Sequence, residues 1–86
     1  MAKISVIVPA YNAETTLRTA VESILSQQVP ELEIIIVNDG STDGTDRLCH
    51  ALASEYPCLH VITQKNAGIC AARNRGMEAA SGEYIT

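Results

Sequence analysis

Hydrophobic positions along this chain fall into two alternating patterns. Short unbroken runs of β-branched residues alternate with longer stretches in which apolar residues recur every three or four positions. The first run, Lys3–Val8 (KISVIV), is almost wholly apolar, as a strand buried on both faces should be. Pro9 is expected to end it. Asn12 is placed to cap a helix, and Leu17, Ala20, Val21, Ile24 and Leu25 then repeat at helical spacing. Val29-Pro30 closes that helix. A second buried strand follows at Leu32–Asn38 (LEIIIVN).

The segment Asp39-Gly40-Ser41-Thr42-Asp43-Gly44 is a turn cluster in which Ser41 or Asp43 can cap a second helix. That helix would turn Leu48, Leu52 and Tyr56 inward and stop at Pro57. Leu59–Thr63 (LHVIT) predicts a third strand. A third helix is expected from about Ala67 to Ala80, with Ile69, Ala72, Gly76 and Ala80 on one face, small enough to lie close to a sheet. Ser81-Gly82 ends it. Glu83–Thr86 (EYIT) opens a fourth strand with no turn or polar tail behind it, so Thr86 is expected to be a truncation point within a larger fold.

Strands joined by helices of this length run parallel. The predicted architecture is β-α-β-α-β-α-β, an open α/β parallel sheet with helices on both faces. Composition supports one such unit. The 86 residues are 47% hydrophobic but contain no Trp or Phe, so the core is aliphatic. Area scaling buries ~63% of the surface of a chain this long, a thin core. Ten acidic against six basic residues give a net charge of −4, which argues against a nonspecific nucleic-acid binder. No apolar run has the length of a membrane span or a signal h-region.

In open parallel sheets ligands bind beyond the carboxyl ends of the strands. Three segments must gather there: Pro9–Asn12, Asp39–Thr42 and Gln64–Gly68. Each leads to a helix N-terminus, whose free N–H groups favour anions, so a nucleotide or phosphate ligand is expected. Tyr11 offers a ring on which a base could stack. Asp39 can accept a hydrogen bond from a pyrimidine N3–H. Arg73 could reach a diphosphate, and residues two apart on a helix do not share a face, so Arg73 and Arg75 cannot both do so. Glu14 and Lys65 lie near the same edge and divide evenly between pocket and surface.

Other chemistries fit poorly. The Asp39–Gly44 cluster imitates half of a calcium loop, but the twelfth position is His50, where a bidentate Glu is needed. No Gly-Lys-Ser/Thr follows the glycines, and no dinucleotide fingerprint follows the first strand. Cys49, His50, Cys58, His60 and Cys70 match no zinc spacing, and buried free cysteines are the expected reading. From the residues alone a turn or cap role is the favoured reading of Asp39, while Tyr11 could be an ordinary half-buried loop aromatic and Arg73 simply solvated.

Four motifs, in this order and spacing, resemble family-2 glycosyltransferases: Val8-Pro9-Ala10-Tyr11-Asn12, Val37-Asn38-Asp39-Gly40-Ser41-Thr42-Asp43, Asn66-Ala67-Gly68 with Ala72-Arg73-Asn74-Arg75-Gly76, and Ser81-Gly82-Glu83-Tyr84-Ile85. The resemblance covers essentially the whole chain. It implies the GT-A fold with strand 1 inside the sheet, between strands 2 and 3 on one side and strand 4 on the other. It implies a nucleotide-sugar donor, usually a UDP-sugar, with Pro9 and Tyr11 flanking the base, Asp39 bonding the uracil and Arg73 contacting the nucleotide. It also implies inversion at the anomeric carbon, peripheral attachment of the whole protein to the cytoplasmic side of a membrane, and a divalent metal (Mn²⁺ or Mg²⁺) held by an Asp-x-Asp motif after strand 4. The chain stops before that motif, so residues 1–86 are expected to be the N-terminal donor-binding portion, holding no metal ligand, catalytic base or acceptor site, and inactive alone. Self-association through the edge of strand 4 is expected. A flavodoxin-like nucleotide-binding module is the alternative.

Overall fold

The computed structural model describes residues 4–80 and 83–85, the last three by their backbone. Seven elements alternate: β1 (Ile4–Ala10), α1 (Leu17–Leu25), β2 (Leu32–Asp39), α2 (Thr45–Glu55), β3 (Leu59–Gln64), α3 (Ile69–Ala79) and β4 (Glu83–Ile85). The four strands form one sheet in the order β3-β2-β1-β4, and every pairing is parallel. This is the predicted open α/β sheet, with strand 1 inside it.

The period of two along the strands divides the core. Ile34 and Ile36 of β2 meet Leu17 and Val21 of α1 and Cys49 and Leu52 of α2 on one face. Ile7 of β1 and Ile35 and Val37 of β2 meet Ala72 of α3 on the other. Every position of β2 after Leu32 is buried, because helices cover both of its faces. Burial of each such Ile or Leu side chain contributes about 1.5–3 kcal/mol.

Several boundaries differ from the sequence expectation. Pro9 does not end β1, which continues through Ala10 paired with Asn38. The Ile4 amide donates to Glu31 O of the β2 side, so the odd positions of β1 direct their amides toward β4. Among the described residues the β4 pairing runs from Ile4↔Glu83 to Val6↔Ile85, so the described ladder loses no bond to the amide that Pro9 lacks. Asn12 does not cap α1. It adopts φ +49° five residues before that helix, whose N-cap position is Thr16. The inner face of α2 is Thr45, Cys49 and Leu52, with Leu48 and Tyr56 half-buried beside them. On α3, Ala72 and Gly76 are buried as expected, and a Cβ on Gly76 would collide with Ile7 Cγ2. Ile69 departs from that face and is 58% exposed. The predicted stop at Ser81-Gly82 and the last residue of the fourth strand, Thr86, lie outside the described residues.

Candidate functional site

A cleft of about 370 Å³ opens at the carboxyl edge of the sheet, lined by Pro9, Ala10, Tyr11, Asp39, Asn66, Gly68, Ile69 and Ala72. The alternation that sorts the core also builds its floor. Pro9 follows Ile7 two residues on, and Asp39 follows Val37, so both lie on the α3 side of the sheet. Tyr11 and Ile69, the two large hydrophobic residues most exposed among those described, belong to the lining. The cleft is apolar, with one carboxylate and one amide side chain among its lining groups.

Asp39 is 4% exposed, and its carboxylate is held by the β3–α3 loop. Oδ1 accepts from Gln64 Nε2 at 2.8 Å and from the Ala67 amide at 2.9 Å. Oδ2 accepts from the Gly68 amide at 3.0 Å and from Asn66 Nδ2 at 3.4 Å. Asn66 Nδ2 also donates to the Asp39 carbonyl at 3.0 Å. These donors hold the Asp39 carboxyl below its ordinary 3.8: the Gln64 amide contributes most, then the Ala67 N–H, with a smaller part from Gly68, and together they outweigh desolvation. The carboxylate thus occupies the amides just ahead of α3, where topology alone suggests a bound anion.

A second network fixes the wall that carries Tyr11. The Asn12 amide donates to Ser41 Oγ at 3.0 Å, and Asn12 Oδ1 accepts from the Thr42 amide at 2.8 Å. The Ala13 amide donates to Thr45 Oγ1 at 2.8 Å. Asp43 in turn accepts from the Thr45 amide at 2.9 Å and from the Thr45 hydroxyl. The Asp43 carboxyl is thereby also lowered from 3.8, chiefly by the Thr45 hydroxyl, and a carboxylate again stands at a helix start. The chain leaving Tyr11 is laced to the β2–α2 loop on both sides of the turn at Asn12.

Of the residues singled out from sequence, Pro9, Tyr11 and Asp39 meet in the cleft. Arg73 lies one position beyond the lining residue Ala72 and is exposed, outside the lining itself. Lys65 is exposed and also outside it. Glu14 is likewise outside, and its carboxylate lies over Gly44 in the β2–α2 loop. Sequence reasoning missed Asn66, Gly68, Ile69 and Ala72 as lining. The loop Gln64–Gly68 was placed at the edge, but nothing in its pattern says which of its side chains reaches Asp39.

The cysteines correct one expectation. Cys49 is buried, Cys58 half-buried and Cys70 exposed, all as free thiols. Burial and the nearby Asp46 carboxylate push the Cys49 thiol up to about 11. Among the described residues no group of three or more His, Cys, Asp or Glu could hold a metal ion, so the metal implied by the resemblance finds no ligand set in them. No described helix is long and apolar enough to cross a membrane.

A parallel sheet flanked by helices, with a mostly apolar cleft beyond its strand ends, defines the class of α/β domains that bind ligands at that edge. Comparison with known proteins narrows the class. The model of glycosyl transferase family 2 matches residues 5–86, and the chain belongs to that family. It is 48% identical over 83 residues to the glycosyltransferase YibD of Escherichia coli (strain K12), covering 96% of this chain and 24% of that protein. The mannosyltransferase PcManGT of Pyrobaculum calidifontis, solved with GDP-Man and Mn²⁺, superposes with a TM-score of 0.87 at 29% identity, covering 94% of this chain and 25% of that one. TarS 1-349 of S. aureus, solved with UDP, gives 0.83 at 32% identity, covering 96% and 26%. The chain therefore spans about a quarter of the length of these relatives.

Proposed function

We propose that residues 1–86 form the donor-recognising portion of an inverting glycosyltransferase that takes a nucleoside-diphosphate sugar, with UDP-sugar the preferred donor. The observation that carries this reading is the meeting of Pro9, Tyr11 and Asp39 in one cleft at the carboxyl edge of the sheet. The ring of Tyr11 covers one face of the base. The Asp39 carboxylate accepts a base N–H, and its lowered pKa keeps it an acceptor at neutral pH. The diphosphate extends away from Asp39, whose charge repels it, toward the exposed Arg73.

This division assigns the base and the phosphates to different residues. Titration calorimetry with UDP, uridine, FMN and NAD tests it. UDP is expected to bind more tightly than FMN or NAD, and Arg73→Ala to weaken UDP severalfold while leaving uridine unchanged. Preference for FMN would favour the flavodoxin-like alternative, and equal loss for uridine and UDP would remove Arg73 from the phosphates. Incubated with UDP-sugars, Mn²⁺ and acceptors, the 86-residue chain is expected to give no transfer, because the cleft holds no assigned base or metal ligand.

A further inference from the structure

We infer that the chain pairs with a second copy of itself along the free edge of β3, in a register centred on Ile62. The inference is independent of the nucleotide reading, since no β3 residue belongs to the cleft lining. In the order β3-β2-β1-β4, β3 has a neighbour on one side only. The Ile34 amide donates to Cys58 O, and Leu59 lies opposite Ile34. Amide directions alternate along a strand, so His60, Ile62 and Gln64 point their amides at β2, and Leu59, Val61 and Thr63 point theirs outward. The Leu59 amide is taken by Tyr56 O at 3.0 Å. No hydrogen bond among the described residues takes the outward N–H or C=O of Val61 or Thr63.

Free edges are ordinarily blunted by a charge, a Pro or a bulge. β3 reads Leu-His-Val-Ile-Thr-Gln, with no Pro, Lys, Arg, Asp or Glu, and its register with β2 is unbroken. Its one titratable side chain, His60, lies 3.6 Å from the Glu33 carboxylate of its own chain. Helix α2 packs on β3 from one face, whereas α3 on the other face packs on β1 and β2.

The edge is complementary to itself. A two-fold axis normal to the sheet lays two β3 strands antiparallel. With Ile62 opposite Ile62 of the second copy, Val61 faces Thr63 and Thr63 faces Val61. Each of those pairs exchanges two N–H···O=C bonds, so the four bonds take up every outward group at the two positions. Moving the register one ladder step either way brings in Leu59 or Lys65. The Leu59 amide is already used, and Lys65 lies beyond the strand. Side chains across the seam also agree: Ile62 meets Ile62, Val61 meets Thr63 and His60 meets Gln64, with no like charges opposed. The two sheets become one of eight strands with both α3 helices on the same face. The strands of the two copies run in opposite directions, so their clefts open at opposite edges, clear of the seam.

Sedimentation velocity of the 86-residue chain tests this, at concentrations up to about 1 mM, the weak end of the affinity scale. The chain is expected to pass from monomer to dimer, and a monomer throughout overturns the inference. Thr63→Pro removes one outward amide per copy and leaves the β2 ladder whole. It should weaken association about tenfold or more, since two of the four bonds are lost. A second pair of variants reads the register without Pro, in a background where the exposed Cys70 is removed by Cys70→Ser. Ile62→Cys puts two thiols across the axis, in a non-hydrogen-bonded pair with Cα atoms about 4.5 Å apart, within disulfide reach. Val61→Cys puts them on a diagonal, about 7–8 Å apart and beyond it. Mild oxidation is expected to cross-link Ile62→Cys at least about tenfold faster than Val61→Cys. Equal rates overturn the register and the seam with it. A dimer that Thr63→Pro leaves unchanged, as one built through the edge of β4 would be, overturns them too.

Discussion

Tyr11 is 53% exposed, so its ring adds little to the packing of the free chain. Base–aromatic stacking contributes about 1–3 kcal/mol, and Tyr11→Ala is therefore expected to weaken UDP binding by about tenfold while moving stability by no more than about 0.5 kcal/mol. Calorimetry and a melting curve on the same sample separate the two, and undiminished affinity would take Tyr11 out of the site. Asp39 behaves in the opposite way, since its carboxylate ties β2 to the β3–α3 loop. Its folded pKa lies below 3.8, so the stability it contributes is full above that value and is lost as pH falls through the folded value. The melting temperature of the parent chain should fall below pH 4 more steeply than that of Asp39→Asn, which keeps only the similar but separate dependence of Asp43. Parallel curves for the two proteins would show that the carboxylate charge is not what holds the loop. That Asp39 reaches the cleft was legible from its place at the carboxyl end of β2. Its hold on Ala67 and Gly68 was not, because those bonds span 28 and 29 residues and local pattern carries no trace of them.

Element type and order were readable throughout because the buried runs and helical repeats are unambiguous, whereas the ends were set by tertiary partners. Pro9 looks like a strand stop until the register pairs it with Val37, its missing amide on the side away from β2. Asn12 looks like a cap until its side chain is seen on Thr42, 30 residues away. The small-residue face of α3 was legible, and it makes a prediction at this scale. A methyl on Gly76 enters space held by Ile7 Cγ2, with Val37 Cγ2 at 3.2 Å behind it. Overpacking costs about 1–3 kcal/mol, against about 1 kcal/mol gained from the better helix propensity of Ala. Gly76→Ala should therefore lower unfolding free energy by up to about 2 kcal/mol in urea titrations, with the urea slope unchanged. A stabilised variant would mean that α3 can lift from the sheet without loss, and that the close approach of its helix is not what positions Ala72 in the cleft.

At the scale of the whole molecule, the cleft is assembled from the ends of β1 and β2 and the start of α3, so a ligand there bridges elements that only the folded state brings together. Binding must therefore stabilise the fold as a unit, by the logarithm of one plus the ratio of ligand concentration to Kd. Cys49 reports on that unit from a distance. It lies at 0% exposure in the core between α1, α2 and the sheet, away from the cleft lining, and its thiol is pushed up to about 11. In the folded chain it is both covered and protonated, so a thiol reagent reaches it through unfolding, where the thiol returns to its ordinary value of 9.0. When reclosing outpaces modification, the labelling rate follows the open population. At a UDP concentration about 100 times Kd, Cys49 labelling should slow by about 100-fold, while the exposed Cys70 continues to react on the fast timescale. Mass spectrometry of peptides resolves the two cysteines in one experiment. If Cys49 keeps its rate at saturating UDP, opening around α2 is local and independent of the cleft, and the two faces of the sheet are separate cooperative units. If it slows in proportion to ligand, the aliphatic core on the α1–α2 face and the nucleotide cleft on the α3 face stand or fall together.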